Sequence, residues 1–151
     1  DAAIICTGGG GLAAGTGTYL KSQFIDARIY TAEPEGWHDH YLSFQLGRRV
    51  KAPGNGPHWC DGLLAPIPGE LTFSINQANG TEGLCVPGEW VATAMKFVWQ
   101  HLGLKLEPSG AVALGALLAK PELFLGQRVL VTLTGGNVDD HRFSECLALT
   151  G

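Results

Sequence analysis

The sequence predicts an α/β domain with a largely parallel sheet and helices on both of its faces. Three observations lead there. Apolar, strand-like runs alternate along the chain with stretches of helical character, the pattern of strands joined by helical crossovers. Two of those runs empty into glycines, Gly8 to Gly11 and Gly135 to Gly136, as a strand does before a tight turn. A stretch from Ser109 to Leu118 carries almost no polar side chain, so it must be a helix enclosed by other layers.

The elements follow in order. Ala2–Cys6 is a short apolar strand that runs directly into Gly8-Gly9-Gly10-Gly11, after which Leu12–Lys21 has helical composition. Ser22 to Ala27 is a loop, and Arg28–Ala32 is the second strand. Asp39–Gly47 is a helix of mixed polarity, and Gly54-Asn55-Gly56-Pro57 is a loop by composition. Gly69-Glu70-Leu71 opens a short helix, and Gly83–Val86 is the third strand. Pro87-Gly88-Glu89 starts a longer helix, with proline suited to a first turn. Along it Val91, Met95, Val98, Trp99 and Leu102 recur at helical spacing, which predicts one buried face. Ser109 is placed to cap the apolar helix and Pro121 to stop it. Arg128–Leu133 is the last strand, entering Thr134-Gly135-Gly136-Asn137.

Composition bounds the function. A chain of 151 residues fits a single domain, 1–151, with room for a sound core. Hydrophobic residues at 45% against 16% charged are those of a globular protein, and the 22 glycines are about twice ordinary usage. A net charge of -4 leaves no basic footprint, so nucleic acid and anionic membranes are not expected partners. Any phosphate must be held by backbone amides. Cys6, Cys60, Cys85 and Cys146 have neither metal-ligand spacing nor a disulfide pattern, and read as reduced, mostly buried thiols. No apolar run reaches the roughly 18 residues of a membrane span, and no signal segment is visible, so the expected location is the cytoplasm. The chain opens with Asp1-Ala2-Ala3 already inside a strand, which suits a piece of something longer.

The tetraglycine run carries the chemistry. A strand that empties into glycines and then into a helix lets backbone N–H groups converge where the helix dipole favours an anion. Glycine permits close approach and a positive φ. One reading is a dinucleotide fold. Gly8-x-Gly10-x-x-Ala13 and Gly9-x-Gly11-x-x-Ala14 both fit its loose fingerprint, with Glu33 at the end of the next strand as the ribose-binding acid of an NAD(P)-type domain.

A second reading accounts for more of the chain. Gly8-Gly9-Gly10-Gly11-Leu12-Ala13-Ala14-Gly15, Ala32-Glu33-Pro34-Glu35, Cys60-Asp61-Gly62-Leu63, Pro68-Gly69-Glu70-Leu71-Thr72-Phe73, Glu107-Pro108-Ser109-Gly110-Ala111-Val112 and Thr134-Gly135-Gly136-Asn137-Val138-Asp139 occur in one order. In that order they resemble the C-terminal half of the serine/threonine dehydratase family, the fold-type II pyridoxal-phosphate enzymes that include serine racemase. The resemblance implies a three-layer sandwich like the large domain of tryptophan synthase β, and β-elimination with deamination of a β-hydroxy amino acid. It assigns Gly8, Gly9, Gly10, Gly11 and Leu12 to the cofactor phosphate, and Thr134 to the pyridine nitrogen, where the family usually has serine or cysteine. A neutral hydroxyl there does not force protonation of the ring, which leaves it a moderate electron sink.

The resemblance further implies a magnesium or calcium site made by Glu33, the carbonyl of Trp37, and Asp39, whose oxygen ligands suit those ions. His38 and His40 flank Asp39 and read as exposed, solvated side chains. Glu107 is a pocket residue at the start of the apolar helix. One family feature is missing: the cofactor-bearing lysine lies in a Ser-x-Lys context in the preceding half. Lys21, Lys51, Lys96, Lys105 and Lys120 all lack that context, so no catalytic residue is assigned in this chain. The expected partners are an amino-acid substrate and either the lysine-bearing N-terminal half or a second copy. A cofactor-binding fragment without chemistry is the remaining alternative.

Overall fold

The computed structural model describes residues 1–149. Strands β1 (Ala2–Cys6), β2 (Arg28–Pro34), β3 (Glu82–Val86) and β4 (Val129–Val131) form one parallel sheet in the order β3-β2-β1-β4. Helices α1 (Gly11–Gln23), α2 (Asp39–Leu46), α3 (Glu70–Ala78), α4 (Gly88–Leu102), α5 (Pro108–Ala119) and α6 (Asp140–Ala148) cover its two faces, with 3₁₀ turns at Asp61–Leu63 and Pro121–Phe124.

The layers follow from the two-residue period of a strand. Ala2, Ile4, Cys6, Tyr30, Ala32, Leu84 and Val86 point to one face, where they meet the apolar helix α5 and, behind it, Val91, Met95 and Val98 of α4. Ala3, Ile5 and Ile29 point to the other and pack against Ala13 of α1. Every residue of β1 is buried, which explains its uninterrupted apolar run. Ile4 and Ile5 are fully covered, each contributing about 1.5–3 kcal/mol over exposure. The expected three-layer α/β architecture is the observed one.

Departures from the expected elements are local and have visible causes. Helix α5 starts one residue early, at Pro108, because proline's fixed φ suits a first turn. Ser109 therefore does not cap the helix, and its hydroxyl instead accepts a hydrogen bond from the Gly62 amide at 3.0 Å. Strand β4 is shorter than the predicted Arg128–Leu133. Beyond Val131 the Thr132 hydroxyl, not a carbonyl, accepts the Cys6 amide at 3.1 Å, and a side chain replaces the ladder. On α4, Val91, Met95 and Val98 are buried as expected, but Trp99 and Leu102 are exposed. The last turn of that helix faces α6, where Phe143 meets the Trp99 ring edge-on. All four cysteines are free; Cys6, Cys60 and Cys146 are buried and Cys85 is half-buried. No described helix is long and apolar enough to cross a membrane.

Candidate functional site

The register of the sheet sets the site. β1 lies between β2 and β4, with Cys6 opposite Ala32 and Ile4 opposite Val131, so the chain leaves these strands at one end of the sheet and in neighbouring positions. A cavity of about 260 Å³ opens there, lined by Gly8, Gly9, Gly10, Gly11 and Leu12 from the first loop, Thr134 from the second, and Gly62, Glu107 and Ser109 between them. The six residues assigned to the cofactor from the sequence thus share one hollow. A larger hollow of about 980 Å³ lies at the opposite end of the strands, lined by Phe24, Ile25, Val129 and Leu130. Ligands of open parallel sheets sit at the carboxyl ends, so the smaller cavity is the relevant one.

The first loop has the features of an anion cradle. Gly10 is the residue preceding α1 and adopts φ 92°, ψ 0°, a left-handed conformation that glycine takes without strain. A Cβ on it would come within 2.6 Å of His40 Cε1 and 2.9 Å of Thr72 Oγ1. At Gly9 and Gly11 an added Cβ would meet nothing within 4 Å. No side chain caps α1, and no acid stands in its first turn. Its leading N–H groups and the positive end of its dipole are therefore open to a ligand.

The second wall is built by close contact between α5 and the loop after β4. A Cβ on Gly110 would fall 1.5 Å from the Thr134 carbonyl oxygen, and the Thr134 amide donates to the Gly110 carbonyl at 3.3 Å. Glu107 Oε2 accepts the Asn137 amide at 3.1 Å, and the Glu107 amide donates to the Gly135 carbonyl at 3.2 Å. Glu107 therefore ties the loop to the start of α5, a structural task in addition to its place in the cavity wall. Cys6 Sγ accepts from the Ala113 amide at 3.3 Å, and burial pushes its thiol above the ordinary range. No lysine lines the cavity.

Glu33 and Asp39 form a second, separate constellation. Glu33, fully buried, accepts the amides of His40 and Tyr41 at 2.8 Å each, holding the N-terminus of α2 on the end of β2. With both oxygens so engaged and no exposure, Glu33 is not presented to a ribose, which removes the acid that the dinucleotide reading requires. Asp39 is also buried, and its carboxyl lies against that of Glu33 with no other side chain bonded to it. Burial raises the Asp39 carboxyl to about 7. Burial, and then the charge of Asp39, raise Glu33 well above the carboxylate range. Trp37 lies in the turn between them, its indole N–H donating to the Gly56 carbonyl at 3.2 Å. Among the described residues no group of three His, Cys, Asp or Glu side chains could hold a metal.

The two histidines depart from expectation, because neither is exposed. His38 is half-buried, its Nδ1 accepting the Gly36 amide at 3.0 Å. His40 is fully buried behind the tetraglycine loop and, by desolvation, is held neutral with a pKa lowered to about 4.

Several site residues went unassigned in the sequence. Thr72 and Asn76 of α3 bond the carbonyls of the glycine loop, while Ser109 and Gly62 close the cavity wall. Thr72 and Gly62 lie within the quoted motifs, but which loop they touch is a tertiary fact.

The fold and the cavity define a class: a parallel α/β domain that offers backbone amides to an anionic group at the carboxyl ends of its strands. Residues 1–135 match the pyridoxal-phosphate dependent enzyme family, and the chain belongs to it. It is 39% identical over 139 residues to beta-hydroxyaspartate dehydratase of Paracoccus denitrificans, covering 92% of this chain and 44% of that protein. It is 36% identical over 153 residues to serine racemase of Dictyostelium discoideum, covering 97% of this chain and 46% of that protein. It superposes on the processed form of threonine deaminase isoform 2 from Solanum lycopersicum with a TM-score of 0.91 at 30% identity, over 99% of this chain and 44% of that one. The fold is that of the fold-type II pyridoxal-phosphate enzymes. The chain spans about half the length of the curated relatives it matches.

Proposed function

We propose that this chain is the C-terminal half of an ammonia-lyase that deaminates a β-hydroxy amino acid, and that it supplies the phosphate cradle and the pyridine-nitrogen contact for pyridoxal phosphate. The observation that carries this is the single cavity formed by the tetraglycine loop and Thr134. The residues fit the cofactor: uncapped amides at a helix N-terminus suit its phosphate, and a hydroxyl across the cavity suits its ring nitrogen. When bound, pyridoxal phosphate withdraws electrons from the α-carbon of an amino acid, which eases loss of the α-proton and the β-hydroxyl. Gly8, Gly9, Gly10, Gly11 and Leu12 anchor the phosphate, Thr134 orients the ring through its hydroxyl, and Glu107 keeps the Thr134 loop in place. The proton-transferring lysine comes from the other half. The chain's fraction of its relatives' length supports such a half, as do the unpaired edge of β4 and the exposed Leu130, Phe24 and Ile25 beside it.

Magnesium or calcium is the cation that Glu33, Asp39 and the Trp37 carbonyl would hold. The support is the buried Asp39 against the buried Glu33, two carboxylates that repel unless a proton or a cation lies between them.

The test is reconstitution. Alone, the 151 residues should bind pyridoxal phosphate weakly and release no 2-oxo acid from serine, threonine or hydroxyaspartate. A family N-terminal half with its lysine, fused or in trans, should restore a bound-cofactor absorbance band and 2-oxo acid formation. Deamination by the isolated chain would overturn the division of labour.

A further inference from the structure

The glycine loop is held from behind. The Gly9 carbonyl accepts two hydrogen bonds from α3 and the residue before it, one from the Thr72 hydroxyl at 2.5 Å and one from the Gly69 amide at 3.2 Å. The Gly10 carbonyl accepts from Nδ2 of the fully buried Asn76 at 3.2 Å, in addition to its helical bond from the Ala14 amide at 2.9 Å. The His40 ring fills the space beneath Gly10, close enough that a Cβ there would overlap it. None of these side chains lines the cavity on the other side of the loop.

A trans peptide unit is planar, with its C=O and N–H pointing in opposite directions. A carbonyl fastened on one side therefore fixes the amide of the following residue on the other. Two donors on the Gly9 oxygen aim the Gly10 N–H away from α3, and Asn76 does the same for the Gly11 N–H. Glycine peptides rotate more freely than any others, so a loop of four needs such fastening to present its amides in one geometry. A donor on the carbonyl also polarises the same peptide's N–H.

We propose that Thr72 and Asn76 are positioning residues for anion binding: through the Gly9 and Gly10 carbonyls they pre-orient the Gly10 and Gly11 amides toward the ligand's phosphate. The inference rests on the cradle reading above and adds a determinant of its affinity that touches no ligand atom. The ligand chemistry is a phosphate monoester, and the bracket acts on its phosphate alone.

The experiment titrates the 151-residue chain with inorganic phosphate and with pyridoxal phosphate, followed by ³¹P resonance shifts, and with pyridoxal, which lacks the phosphate, followed by fluorescence. Thr72→Val keeps the side-chain shape and removes the donor; Thr72→Ser keeps the donor. Thr72→Val should weaken both phosphate ligands about three- to tenfold, the worth of one hydrogen bond, leaving pyridoxal affinity within about twofold. Thr72→Ser should match the parent. Asn76→Ala should act in the same direction. If that variant loses its cooperative thermal transition, the Thr72 pair decides. Equal phosphate affinity in the parent and Thr72→Val overturns the proposal, as does an equal loss toward pyridoxal, which would mean general loosening. A parent chain that binds no phosphate overturns the cradle reading itself, an outcome visible before any variant is made.

Discussion

The ends of β1 and β2 lie side by side, yet the chain treats them in opposite ways. Past β1 it builds a surface of peptide groups, whose carbonyls are occupied from behind and whose amides face a cavity. At the end of β2 it buries two carboxylates, of which Glu33 is bonded by the first amides of α2 and Asp39 faces Glu33. The peptide surface carries no titratable group, so the anion binding proposed for it would not depend on the protonation of the loop. The carboxylate pair is comfortable only when a proton or a cation is present, so its contribution to stability is conditional. On the reading proposed above, an anion site made of backbone would be finished within the fold, whereas a cation site made of buried acids would be left unfinished until something arrives.

The contrast breaks most sharply if charge is placed on the peptide side. Gly10→Asp introduces a carboxylate, a side chain at φ 92° and an overlap with His40, and should destabilise the chain by about 2–4 kcal/mol while abolishing phosphate binding. Circular-dichroism melting and a phosphate titration would show both losses, and a variant that bound phosphate as the parent does would remove the cradle.

The pH dependence tests the other side. The carboxyl of Asp39 is raised to about 7 from an unfolded value of about 3.9, so the native state holds a proton that the unfolded chain has lost, and stability falls as pH rises through that window. His40 is lowered to about 4 from about 6.5, so its contribution grows with pH between those values. Between about pH 4 and 6.5 the rise from His40 opposes the fall from Asp39 and Glu33, and Tm should change less steeply than at higher pH. Above about 6.5 only the carboxylates still act, and Tm should decline in the metal-free chain. Asp39→Asn should lessen that decline, leaving the part that belongs to the buried Glu33, and a decline of unchanged size in the variant would exonerate Asp39.

Magnesium or calcium should sharpen the contrast further, raising Tm at pH 8 but not at pH 5, where protons already occupy the pair. At a hundredfold excess over its Kd the gain is about 2.7 kcal/mol by mass action. An equal rise in a Glu33→Ala/Asp39→Ala variant would locate the ion elsewhere. The smallest effect belongs to the cavity wall: Ser109→Ala deprives the Gly62 amide of its acceptor and should cost about 1 kcal/mol, measured by denaturant unfolding at pH 7.

Much of this was legible in the sequence because it depends on local pattern. The buried strand Ala2–Cys6, the glycines after it and the wholly apolar α5 announce the layers, and the order of six short motifs places the cavity residues. The sequence was silent where function depends on what lies behind a residue. His40 looks like one of two surface histidines, yet tertiary packing seats it under Gly10. Ser109 has the form of a helix cap, and Pro108 takes that boundary and frees the hydroxyl for Gly62. Thr72 and Asn76 are four residues apart on one face of α3, a spacing that marks a shared neighbour without saying which.

The four glycines of the loop are not equivalent under selection. At Gly10 a methyl group would strike His40, and at Gly8 it would press on the Gly62 carbonyl at 3.2 Å, so folding alone demands glycine or something close to it. At Gly9 and Gly11 the chain leaves open space, and nothing in the fold objects to alanine. A lineage that kept the fold but gave up the ligand would therefore erode at alternate positions, replacing Gly9 and Gly11 while retaining Gly8 and Gly10. If the cradle binds as proposed, those two positions are where the chain keeps the record of it, and a library of random substitutions sorted once for folding and once for phosphate binding would read it.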